Sequence, residues 1–107
     1  MNTMNSDELM QNDVVNKLKE LKPIYQQEGI EIVALFGSYA RGTQKKYSDI
    51  DIAYRINHEE CSKKYPDAFS KLIRFEEIQK ELKAIFKKDI DFVPDANKKI
   101  LEDMITI

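Results

Sequence analysis

Apolar residues follow two rhythms along this chain, and the change from one to the other divides it into helices and strands. Val14, Leu18, Leu21 and Tyr25 recur at three- and four-residue intervals, the spacing of one helix face. Ser6-Asp7-Glu8 reads as the start of that helix, with acids where the helix dipole favours them. Pro23 is expected to kink the helix, or to end it and begin another turn. Gly29 is a candidate C-terminal cap, because glycine takes the left-handed conformation at little cost. Ile30-Glu31-Ile32-Val33-Ala34-Leu35-Phe36 is β-branched and apolar, which predicts a buried strand. Gly37-Ser38-Tyr39-Ala40-Arg41-Gly42 breaks the run as a tight turn leading into a short helix, and Thr43 to Ser48 is polar and loop-like.

A strict alternation follows. Asp49, Asp51, Ala53 and Arg55 share one face, while Ile50, Ile52, Tyr54 and Ile56 share the other, which is the period of a strand. Asn57 to Pro66 reads as a loop or the approach to a helix. From Asp67 to Lys87 the helical period returns, with Phe69, Leu72, Ile73, Phe75, Ile78, Leu82, Ile85 and Phe86 on its apolar side, of which the stripe Phe69, Leu72, Ile73, Phe75 and Leu82 is assigned to the core rather than to a partner surface. Asp89-Ile90-Asp91-Phe92-Val93 is a short third strand stopped by Pro94, and Ala96 to Met104 reads as a last helix with Ile100, Leu101 and Met104 on one side. The C-terminal Ile100-Leu101, Met104-Ile105 and Ile107 are apolar enough to dock, either on this domain or on a partner. The fold class is therefore α/β (α+β): a small mixed β-sheet flanked by helices. With 107 residues the expectation is a single domain, residues 1–107.

Composition narrows the function classes. Charged residues make up 34% and hydrophobic residues 42%, a globular rather than a disordered profile. The net charge of -2 provides no broad basic field, so nucleic acid is not expected as a direct partner. Lys45-Lys46 and Lys87-Lys88 are local basic pairs of the kind usually found on solvated surface. The single cysteine, Cys61, allows no intramolecular disulfide, which fits a reducing cytoplasm, and no Cys/His cluster points to structural zinc. The polar N-terminus contains neither a signal core nor a membrane-spanning run, so no membrane association is expected. His58 reads as ordinary surface. Tyr39, Tyr47 and Tyr54 could stack on a base, but packing is their default role.

The chemistry lies in the middle of the chain. Gly37-Ser38 followed by Asp49-Ile50-Asp51 joins an anion-sized turn to paired carboxylates, the combination that attack on the α-phosphorus of a nucleoside triphosphate requires, since two divalent ions roughly 3.5–4 Å apart can assist it. Magnesium prefers carboxylate and phosphate oxygens, so the protein must bring carboxylates together. Asp49 and Asp51 lie two residues apart on a strand, on one face, with Cα atoms about 6.6–6.8 Å apart. A third acid from a neighbouring strand would complete the set. Asp91 and Asp89 share a face, so parity cannot choose between them. Asp91 is the better candidate because it sits inside an apolar run, where an acid is costly without a partner; Asp89 is the fallback. Gly37 allows backbone to approach an anion, and the amides and hydroxyl around Ser38 can bind phosphate oxygens. A P-loop is excluded: Gly37 and Gly42 have the right separation, but Thr43-Gln44 follows where Lys-Ser/Thr is required.

Leu35-Phe36-Gly37-Ser38-Tyr39-Ala40-Arg41-Gly42 followed by Ser48-Asp49-Ile50-Asp51 resembles the signature of the DNA polymerase β-like nucleotidyltransferase superfamily. The chain's brevity resembles the minimal nucleotidyltransferases, antitoxin partners of HEPN-domain proteins. The resemblance runs from about Ile30 to Val93. It implies a polymerase β palm-like fold in which Gly37 and Ser38 hold the triphosphate of ATP and Asp49 and Asp51 ligate magnesium. Asp91 would complete the metal site and help deprotonate the attacking hydroxyl. Arg41 matches a motif position and would either contact the nucleotide or brace the loop. The implied activity is transfer of AMP to a tyrosine of a HEPN-domain toxin. The alternatives are neutralisation by masking alone, and transfer to a small molecule such as an aminoglycoside, which needs a homo-oligomer or partner to complete the acceptor pocket.

Overall fold

The computed structural model describes residues 9–96 and 104–107. Its elements are α1 (Gln11–Gln26), β1 (Ile30–Phe36), α2 (Gly37–Arg41), β2 (Ile50–Ile56), α3 (His58–Lys64), α4 (Ala68–Phe86), β3 (Ile90–Pro94) and β4 (Ile105–Thr106). Among the described residues the strands form one sheet in the order β3-β2-β1-β4. β1 pairs antiparallel with β2 and β4, and β2 pairs parallel with β3, so the sheet is mixed as expected.

Both rhythms in the sequence converge on one core. Val14, Leu18, Leu21 and Tyr25 of α1 and Ile78, Leu82 and Phe86 of α4 pack with Ile30, Ile32, Leu35, Ile50 and Ile52 of the sheet. Cys61 of α3 and Tyr39 of α2 join them. The other face of the sheet carries a small cluster, Ala34, Phe36 and Ala53, with Val33 and Val93 against it. The helices thus cover one face, and the acidic positions of β2 alternate onto the other.

A bulge in β1 makes this arrangement work. Ile32 pairs with Tyr54, but Ala34 pairs with Ala53, so Val33 is an extra residue in the ladder. Without it, strict alternation would send Leu35 to the face opposite Ile30 and Ile32. With it, Leu35 joins them in the core, and Phe36 comes opposite Asp51.

Several elements differ from the sequence reading. The predicted helix start at Ser6-Asp7-Glu8 lies outside the described residues. α1 begins at Gln11, after the Met10 amide donates to Asp13 Oδ2 at 3.0 Å. The helix continues through Pro23 to Gln26, because the packed face on either side holds it together. Gly29 lies beyond the helix end at φ 79°, where an added Cβ would overlap the Cys61 amide and stand 2.9 Å from the Asn57 carbonyl oxygen. The segment read as a loop or helix approach contains α3, whose first turn is capped by Asn57 Oδ1 accepting from the Glu60 amide at 3.2 Å. Residues 97–103 of the predicted last helix lie outside the described residues. Of the C-terminal apolar residues, Ile105 and Ile107 dock on this domain itself, with β4 paired to β1 and both side chains against the main core, whereas Met104 is exposed and Ile100 and Leu101 lie outside the described residues.

The assignment of the whole α4 stripe to the core is corrected. Ile78, Leu82 and Phe86 are buried, but Phe69, Leu72 and Ile73 are 61%, 59% and 45% exposed. The cause is length. A helix of 19 residues extends about 28 Å, whereas the five residues of β3 reach about 16 Å, so the first turns of α4 overhang the sheet.

Electrostatic ties fasten α4 to the turn after α1. Arg74 Nε and Nη2 donate to the two oxygens of Glu28 at 2.7 and 2.9 Å, and Nη1 donates to Glu81 Oε2 at 2.8 Å. Tyr25 and Tyr65 hydroxyls donate to Glu81 and Glu28. Burial and the Glu28 carboxylate push the Tyr65 hydroxyl up to about 12.

Candidate active site

The site is built where β1 ends and β2 and β3 begin. Phe36 closes β1, and the chain turns at Gly37 (φ 73°) into α2. The α-carbon of Gly37 lies against the side chain of Asp51: an added Cβ would overlap Asp51 Oδ2 and stand 2.9 Å from its Cγ. Glycine is therefore required here for its conformation and for its missing side chain. The first amides of α2, at Gly37 and Ser38, have no partner within the helix and are available to an anion. The other end of α2 is closed by Gly42 at φ 74° and by Gln11 of α1, whose Nε2 donates to the carbonyls of Tyr39 and Ala40 at 2.9 Å each. Gln11 was not singled out from sequence, and no local pattern around it signals a contact to α2.

The three acids come together electrostatically. Asp49 directly precedes β2, Asp51 is inside it, and Asp51 pairs in register with Asp91 on β3. Burial pushes the Asp51 carboxyl up to about 6, helped by the charges of Asp91 and Asp49 and by a hydrogen bond with Asp91, while the Arg41 charge opposes the rise. Arg41 is thus within electrostatic reach of the carboxylates. Asp89, the fallback, precedes β3 and borders the same cavity as Asp49. It is solvated and ion-paired with Lys83 Nζ at 2.9 Å. The burial argument for Asp91 does not hold, since Asp91 is exposed on the open sheet face. What separates it from Asp89 is register: parallel pairing places it beside Asp51.

Among the described residues no three carboxylate, imidazole or thiolate side chains are already gathered as a metal cage. The donor set nevertheless fits a hard divalent cation. It consists of oxygen donors only, and the mutual repulsion that raises Asp51 is the kind a cation between the acids relieves.

The tyrosines divide by environment. Tyr39 is buried in the core, and burial raises its hydroxyl. Tyr54 stacks on Phe92 with ring centroids 4.4 Å apart. Both pack rather than await a base, whereas Tyr47 is exposed. Beside Asp49 a cavity of about 280 Å³ opens, lined by Tyr47, Ser48 and Asp89 together with lysines from both basic pairs.

A mixed sheet with helices on one face, a Gly-Ser turn at one strand end and clustered acids on the next two strands define a nucleotidyltransferase-type protein. The comparisons agree. The model of the nucleotidyltransferase domain family matches residues 13–107, and the chain belongs to that family. A 34-residue stretch is 59% identical to MJ1215 of Methanocaldococcus jannaschii, described as a protein adenylyltransferase; it covers 32% of this chain and 36% of that protein. A solved structure described as a minimal nucleotidyltransferase superposes with a TM-score of 0.67 at 16% identity, over 94% of this chain and 98% of that one. A toxin–antitoxin structure with AMP-PNP superposes with a TM-score of 0.55 at 24% identity, over 92% of this chain and 72% of that one. An MntA–HpeT toxin–antitoxin variant gives the same TM-score and identity. No described helix is long and apolar enough to cross a membrane.

Proposed function

We propose that this chain acts as a single minimal nucleotidyltransferase domain that transfers AMP from ATP to a hydroxyl. The acceptor is a tyrosine of a HEPN-domain toxin, which the modification silences. The observation that carries the reading is the meeting of Gly37, Asp51 and Asp91 at one end of three neighbouring strands. Gly37 and Ser38 present amides to the triphosphate, and Arg41 offsets its charge. Asp49, Asp51 and Asp91 would hold magnesium, which when bound stabilises charge on the attacking and leaving oxygens. The acceptor oxygen attacks the α-phosphorus, the bond from that phosphorus to the bridging oxygen breaks, and pyrophosphate leaves with the electron pair. Asp91, exposed on the open face, takes the hydroxyl proton. Support for a toxin as partner comes from the toxin–antitoxin structures that share the fold.

The test is incubation with labelled ATP, magnesium and a HEPN-domain protein from the same source. Label on a partner tyrosine that disappears with Asp49→Asn is expected. No label, together with indifference to Asp49→Asn, sinks the reading.

One observation favours a second reading, neutralisation by masking. Phe69, Leu72 and Ile73 form an exposed apolar face on α4. On this reading Asp49→Asn, Asp51→Asn still protects cells, whereas Leu72→Asp does not. Deleting the C-terminus is a poor discriminator, because Ile105 and Ile107 support the domain's own core.

A further inference from the structure

The two basic pairs lie 42 residues apart, as Lys46 and Lys88 show, yet the fold brings them to one cavity. Lys88 is only 8% exposed, and its ammonium donates to the Lys46 carbonyl, fastening the loop before β2 to the end of α4. Lys46, Lys83, Lys87 and Lys88 line the cavity with two acids, Asp49 and Asp89; Lys83 and Asp89 offset each other as an ion pair, which leaves three lysines against Asp49. Its lining is therefore positive in a chain whose net charge is -2.

Lys87 carries a second, independent observation. It closes α4 in the left-handed conformation, φ 56°, and is the single non-glycine residue with positive φ among those described. Glycine is the ordinary residue at such a cap. A side chain there costs about 1 kcal/mol, and here the strained position sets a lysine at the cavity wall.

We propose that this cavity is a subsite for an anionic group carried by the acceptor near its reactive hydroxyl, the acceptor being an acidic polypeptide segment. The proposal rests on the nucleotidyl-transfer reading and deepens it. The triphosphate has its own place at Gly37-Ser38, at the end of β1. The cavity lies beyond Asp49, between the segment leading into β2 and the end of α4, roughly one to two strand spacings or 5–10 Å from the end of β1. A polypeptide has room to continue: the cavity shares Lys83 and Asp89 with a second depression of about 380 Å³ along α4, where Gln79 and Ile90 offer polar and apolar contact and Glu76 and Lys80 add one charge of each sign.

Three labelled peptides test this, each with one tyrosine flanked by aspartates, by phosphoserines or by asparagines. Each is titrated against the full chain by fluorescence anisotropy, with a short single-stranded RNA as competitor. The aspartate or phosphoserine peptide is expected to bind roughly 10-fold more tightly than the asparagine peptide, and less tightly as salt rises. The arm that binds better tells whether carboxylate or phosphate is the natural group. Lys87→Gly relieves the backbone strain, so it should melt no lower than wild type while weakening acidic-peptide binding about 3- to 5-fold, the scale of one accessible charge contact. Lys87→Arg should retain binding. Equal binding of the asparagine peptide, indifference to Lys87→Gly, or RNA outcompeting the acidic peptides overturns the proposal.

In labelled-ATP reactions Lys87→Gly should raise the KM for the acidic peptide and leave the KM for ATP unchanged; a raised ATP KM instead would assign the cavity to the triphosphate and overturn the proposal. Acidic peptide bound without transfer to any hydroxyl leaves the subsite standing and removes the transfer reading. Transfer with no acidic preference does the reverse.

Discussion

Gly37 and Asp51 are in such close contact that the absence of a side chain on one fixes the carboxylate of the other. The bulge at Val33 creates this contact by bringing Phe36 opposite Asp51, which leaves the next residue over the carboxylate. Gly37→Ala introduces both an overlap with Asp51 and a side chain at φ 73°. It should destabilise the fold by about 1–3 kcal/mol, the cost of a strained backbone position, and abolish transfer. Thermal melting and labelled-ATP turnover read the two effects separately.

Repulsion among the acids gives a different signature. Asp91→Asn removes one charge that raises Asp51. Without divalent cations this variant should be more stable than wild type by about 0.5–2 kcal/mol, as when a function-related strain is relieved. Magnesium should raise the melting temperature of wild type, and chelation should reverse the rise, while Asp91→Asn responds little. Transfer by the variant should fall by roughly two orders of magnitude or more.

Acid sensitivity should come from the far side of the molecule. Arg74 holds the Glu28 carboxyl below its ordinary value, chiefly through the direct hydrogen bonds. Stability from this pair is complete above the unfolded value of about 4.3 and is lost as pH falls through the lower folded value. Urea denaturation between pH 7 and pH 2 should show that decline. Arg74→Ala should flatten it and cost about 3 kcal/mol at pH 7, since it leaves a carboxylate with 12% side-chain exposure without its counter-charge, held by the Tyr65 hydroxyl alone among the described residues.

Gln11 should affect activity without touching substrate. Its amide closes the carbonyl end of α2 through Tyr39 and Ala40. Gln11→Ala should cost about 1 kcal/mol, the net worth of such bonds, and raise the KM for ATP more than it lowers kcat. An unchanged KM would separate α2 capping from nucleotide binding.

Much of this was legible in the sequence because the informative signals are local. The alternation from Ile50 to Ile56 fixes which residues of β2 face the core, and the glycine after Phe36 marks the turn. What was missed depends on contacts between distant segments. α3 has one buried residue, Cys61, too few to set a period, and its start is an Asn57 cap. β4 is two residues long and exists through its pairing with Ala34 and Leu35. The exposure of Phe69, Leu72 and Ile73 follows from the length of α4 relative to the strands beneath it, a comparison no window along the chain contains. Asp91 was favoured over Asp89 for its apolar neighbours, but the structural distinction is its pairing with Asp51, which only the parallel register shows.

That parallel register has a consequence for how the molecule is made. Asp51 and Asp91 are neighbours in space but are separated by both α3 and α4 in the chain, and a parallel pair cannot close until the whole crossover has been synthesised. A nascent chain that has emerged through β2 carries the Gly37-Ser38 turn and two acids but lacks the strand that supplies the third. Non-local pairings of this kind form slowly and late in folding. The three acids are thus brought together by one of the last long-range contacts to form, and on the proposed mechanism incomplete or truncated chains are inert.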